Sequence, residues 1–77
     1  MQIVVSGETP FKALKNQFAV GPSESGYQVA FSVTRDGDYT LDPDAIVPAD
    51  ESLVYLGSMT YVYYMLSGNT SEVTVIV

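Results

Sequence analysis

The 77-residue chain contains no cysteine, no histidine and no tryptophan, and only three basic residues. Each absence removes a class of chemistry. Without cysteine there is no disulfide staple and no thiol nucleophile. Without histidine the ordinary catalytic triad and the usual zinc ligand set are missing. Missing cysteine says nothing about redox compartment. Three bases against nine acids give a net charge of −6, which disfavours phosphate backbones and anionic membrane surfaces. No apolar run approaches the roughly 20 residues of a membrane span. The start, MQIVVSGETP, has neither a basic region nor a long apolar segment, so it does not read as a secretory signal. The expectation is a non-enzymatic chain with no cofactor and no metal site.

What is present is apolar and finely divided. Apolar residues make up 47% of the chain, too much for a disordered tail. They fall in short runs, which read as strands. A chain of this length is one domain, 1–77, and buries only about 60–65% of its unfolded surface. Its core is marginal, and with no staple the remaining common route to stability is self-association or docking onto a larger body.

There is no internal repeat. The β-branched IVV near the start reads as a first strand. In TPFKALKNQF, Thr9 and Pro10 suit a helix start, Phe11, Leu14 and Phe18 are spaced by three and four, and Gly21-Pro22 would end it. A short helix near residues 10–18 and an irregular link into a strand at QFAV both fit. YQVAFSVT alternates cleanly, with Tyr27, Val29, Phe31 and Val33 on one face. Arg35-Asp36-Gly37 then suits a three-residue hairpin loop with left-handed Gly37, pairing Val33 with Tyr39 and Phe31 with Leu41. DPDAIVPADE holds two prolines, which bar it from a central strand. SLVYL, TYVYYML and SEVTVIV complete about six to seven short strands. The fold expected is an all-β sandwich or partly open barrel.

Two features invite a functional reading. Asp36, Asp38, Asp42, Asp44, Asp50 and Glu51 gather six of the nine acids into sixteen residues. The EF-hand pattern fails on them: with Asp36 as first ligand, the glycine position holds Leu41 and the bidentate Glu position holds Val47. Aspartate also suits turns, and solvated turn residues are the favoured reading.

The second feature is the run Thr60–Leu66. As a strand it points Tyr61, Tyr63 and Met65 one way and Val62, Tyr64 and Leu66 the other, and neither set is plainly polar. A sandwich shields each strand on one face only. The closing strand offers Val73, Val75 and Val77 as a valine-lined face. A hairpin through Gly68-Asn69 would set Val62 and Leu66 against it and leave Tyr61, Tyr63 and Met65 outside. Those three, with Tyr55, are the candidate interface, since tyrosine and methionine are enriched where proteins meet.

The order of GYQVAFSVTRDG, VPADESLVYLG and an aromatic strand ending LSGNTSEVTV, from Gly26 to Val77, resembles small β modules in accessory virion proteins of tailed bacteriophages. Tyr39 after the Asp-Gly turn fits that pattern. The resemblance implies a multi-copy structural protein of the virion, assembled in the host cytoplasm. Such a protein decorates capsids or attaches head fibres, and its partner is the major capsid protein, another virion protein or a copy of itself. Residues 1–25 fall outside it and form a candidate N-terminal arm. Immunoglobulin domains are similar in outline but need a disulfide and a buried tryptophan. Two alternatives stand beside this reading: an acidic inhibitor that mimics DNA toward a basic host factor, and a small carbohydrate- or peptide-binding module.

Overall fold

The computed structural model describes residues 1–13, 17–57 and 61–77. Their strands, in chain order, are β1 (Gln2–Ser6), β2 (Phe11–Lys12), β3 (Gln17–Val20), β4 (Tyr27–Ser32), β5 (Thr40–Val47), β6 (Leu53–Leu56), β7 (Tyr63–Ser67) and β8 (Glu72–Ile76). They form two antiparallel four-stranded sheets, β1-β8-β3-β6 and β2-β7-β4-β5. The chain changes sheet at every connection except β4 to β5. The expected all-β sandwich is what forms, with the two-residue β2 as an additional strand and with β5 running on through Pro43.

No helix occurs among the described residues. Residues 14–16 of the helix considered over 10–18 lie outside them; Phe11–Lys12 and Gln17–Val20 are strands of opposite sheets. Thr9 caps nothing: its N–H and Oγ1 both donate to Ser6 O, closing a turn around left-handed Gly7. A ten-residue helix has little local stability, and strand pairing brings Phe11 and Phe18 edge to face at 5.1 Å across the sandwich. Residues 1–25 are likewise no separate arm, because β1 and β3 flank β8 on either side.

Phe18 centres the core. It stacks on Tyr55 at 5.0 Å and tilts against Tyr64 at 4.8 Å. Val5, Val20, Val29, Val47, Leu66, Val73 and Val75 complete the cluster. Val73 and Val75 line the core as expected, and so does Leu66. They do so from opposite sheets, so β7 and β8 are not a hairpin. At one end of the sandwich, buried Asn69 ties three connections together. Its Nδ2 donates to Gly7 O and Ser71 O, each at 2.8 Å, and its Oδ1 accepts from Ser23 Oγ at 2.7 Å. A buried amide with all its groups engaged fixes loops that the small core alone would hold weakly.

The β4–β5 connection departs from the expected hairpin. Pairing runs Phe31 to Thr40 and Ala30 to Leu41, one residue off the expected register, and a seven-residue link joins the strands. Gly37 does not have positive φ. It closes a turn by donating to Thr34 O at 3.3 Å. A Cβ there would stand 2.9 Å from Ser32 Oγ and collide with Thr34 Oγ1. Glycine is favoured here by closeness to two side-chain hydroxyls rather than by handedness. Further on, the ladder slips between Gln28 and Ala30, so Asp42, Pro43, Asp44 and Ala45 bulge out of β5. An edge position makes this proline-bearing bulge tolerable.

Candidate interaction surface

In β7, Tyr64 and Leu66 point into the core and Tyr63 and Met65 point outward, both partly exposed. Thr60, the first residue of the expected strand, lies outside the described residues. Tyr61 precedes the strand and packs on Phe31, ring centroids 4.4 Å apart. Tyr55 is buried at 7% exposure within the core. It is therefore no surface residue, and the tyrosine set divides into core, flank and outer face.

The protein itself covers part of the outer face of β7. Ala30 points outward from the neighbouring strand, between Met65 and Leu41, yet is 0% exposed. The residue 33–39 link folds back over this face, seating Gly37 against outward-facing Ser32 and bonding Tyr39 Oη to Arg35 O at 2.7 Å. The Lys12 ammonium lies 5.9 Å from the centre of the Tyr63 ring.

The other sheet carries the larger apolar exposure. Its outward residues include Val4 on β1, Ile76 on β8, and Val54 and Leu56 on β6, exposed by 61, 54, 74 and 71%. Registers place Gln2, Ile76, Ala19 and Val54 in one row across four strands. Beside Val54 and Ile76 the inner strand β3 offers only Ala19, followed by Gly21, between larger neighbours. A depression of about 200 Å³ results, lined by Ala19, Gly21, Val54, Thr74 and Ile76. Among the described residues, Glu72 is the one charged strand residue on this face. Alternation alone hides this patch, because IVV, LVYL and VTVIV read as core strands until both their faces are assigned. The excess of β-branched residues on the nominal outer face was the available signal.

A second hollow, about 360 Å³, is lined by Phe31, Asp42, Tyr55, Tyr61 and Tyr64 among others. Its carboxylate is already engaged: Asp42 Oδ2 accepts from Tyr55 Oη at 2.7 Å and Asp42 Oδ1 from the Asp44 N–H at 2.9 Å. Burial pushes the Tyr55 hydroxyl well above its ordinary pKa, and the bond to Asp42 adds to this. The other acids of the 36–51 stretch are spread along β5 and its flanking loops. Among the described residues no three carboxylates gather as a metal site. Compared with known proteins, the chain matches no family model, no curated protein and no solved structure.

Proposed function

We propose that the chain is a structural, non-enzymatic accessory protein of a phage particle, of the capsid-decoration or head-fibre-attachment type. It docks by the outer face of the β1-β8-β3-β6 sheet onto an apolar, weakly charged surface of a larger virion protein. The carrying observation is that face: Val4, Ile76, Val54 and Leu56 exposed around a shallow depression, with one charged strand residue among the described residues. A chain of net charge −6 that leaves one broad face nearly neutral has a side suited to contact. Asp36, Asp38, Asp42 and Asp44 belong to the opposite sheet and its link, where they favour solubility and an outward orientation. The two larger molecular extents, 29 × 24 Å, bound roughly 700 Å², near the ~800 Å² each partner gives to a standard interface. The resemblance of residues 26–77 to virion modules supplies the biological setting.

Mass spectrometry of purified particles tests this reading, together with a Val54→Ser, Leu56→Ser double variant. Both side chains are mostly in water already, so circular dichroism and melting temperature should hold while incorporation into particles falls. Absence of the wild-type chain from particles overturns the proposal. So does loss of incorporation with Tyr63→Ser, Met65→Ser but not with the Val54 and Leu56 pair.

A further inference from the structure

The four sheet edges are not equally protected. In the β2-β7-β4-β5 sheet, β2 is two residues long and follows Pro10, while β5 carries Pro43, a bulge and two aspartates. Short strands, prolines, bulges and charges are the usual guards against edge pairing. In the other sheet, Tyr55 of β6 bonds Asp42 of β5, tying that edge to its neighbour. Edge strand β1, QIVVS, has no proline, no charge and no bulge.

The hydrogen-bond phase of β1 can be read from its ends. Val77 N–H donates to Met1 O at 2.8 Å, and Gly7 N–H donates to Ser71 O at 3.0 Å. Bonded pairs alternate in an antiparallel ladder, so residues 1, 3, 5 and 7 turn their polar groups toward β8. Gln2, Val4 and Ser6 turn theirs to the open side. Ser6 O is already taken by Thr9 N–H at 3.2 Å and Thr9 Oγ1 at 2.7 Å. The N–H and C=O of Gln2 and Val4, and the N–H of Ser6, therefore face outward.

We infer that β1 pairs antiparallel with β1 of a second copy of this chain, Val4 opposite Val4. This register is self-complementary, as a two-fold contact must be. The two Val4 residues exchange N–H to O bonds, and each Ser6 N–H donates to Gln2 O of the other copy, so the occupied Ser6 carbonyl costs little. Half-buried Ile3 comes opposite Val5 and extends the core across the junction. The outward Val4 side chains meet and join the two apolar faces. Glu72, one strand further in on each copy, stands about three strand spacings across and four residues along from its counterpart, roughly 20 Å in all, beyond the Debye length at physiological salt. The inference does not rest on the phage reading.

Sedimentation equilibrium of the wild-type chain should give twice 8.3 kDa. Val4→Pro removes an N–H that faces outward, a position where an edge strand tolerates proline, and should sediment as a monomer with its β circular dichroism kept. The chain has no cysteine, so Val4→Cys adds a single thiol. Paired residues of this kind have Cα atoms about 5.5 Å apart, within disulfide reach. Val4→Cys should oxidise to a covalent dimer about tenfold or more faster than Val54→Cys at equal concentration, because pairing raises the local thiol concentration. A monomeric wild-type chain, a dimeric Val4→Pro or equal oxidation rates overturns the proposal. If Val4→Pro unfolds, the oxidation rates decide.

Discussion

Gly26 and Gly68 both hold left-handed backbone, at φ 73° and 83°, but their surroundings differ. A Cβ on Gly26 would stand 2.7 Å from Val47 O and 3.0 Å from Ala49 N, backbone that cannot swing aside. A Cβ on Gly68 would meet nothing within 4 Å. Gly68→Ala thus carries the left-handed penalty alone, about 1–2 kcal/mol. Gly26→Ala adds a displaced end of β5 and should cost about 3 kcal/mol or more. Urea midpoints of the two variants check the order, and equal shifts would reject it. Gly37 teaches a related lesson. A glycine in an Asp-Gly turn is legible in sequence, but its reason is not. Whether it serves handedness or closeness depends on where Ser32 and Thr34 lie.

At the scale of elements, the bond from Tyr55 Oη to Asp42 joins β6 of one sheet to β5 of the other. Asp42→Ala leaves a buried hydroxyl without its acceptor and should cost about 1.5–2 kcal/mol. Tyr55→Phe removes the donor but leaves a half-exposed carboxylate that water can satisfy, so it should cost only about 1 kcal/mol. Chemical denaturation of both single variants and the double variant measures the coupling; a larger loss in Tyr55→Phe would contradict the argument. Strands were legible where alternation was clean: β4 as far as Phe31, β8 and the inward Tyr64 and Leu66 of β7 follow the sequence reading, whereas Val33, read on the Phe31 face, falls in the link and is exposed. Partners were not legible, because nearly every connection crosses between sheets and strands adjacent in sequence seldom pair. The candidate surface was half legible. Tyr63 and Met65 lie outside as read, and the choice of the Val73, Val75 and Val77 face as core leaves Ile76 outside too, but Tyr55 is core and the faces of Val54 and Leu56 were not assigned, because period-two patterns fix alternation without fixing which face is wet.

The molecule as a whole is closed by tyrosine hydroxyls that must stay protonated. Tyr27 Oη lies 3.3 Å from Gly21 O, and burial raises its pKa from 10.0 to about 12. Tyr64 and Tyr55 are raised by burial, and Tyr39 by burial and then the charge of Asp36. Each of these folded-state values lies above the unfolded one, so the native chain keeps protons that the unfolded chain releases. Their contribution to stability is complete below pH 10.0 and is lost as pH rises through the folded values, about 12 for Tyr27. The carboxyl-rich chain should therefore unfold at its alkaline limit through phenols rather than through salt bridges. Urea midpoints recorded upward from neutral pH should fall once pH passes 10.0, and tyrosinate absorbance should rise in step with loss of β circular dichroism. Tyr27→Phe should flatten that decline. If all six tyrosines ionise near pH 10 while the circular dichroism stays native, these hydroxyls are not held inside the sandwich and the packing assigned around Phe18 is wrong.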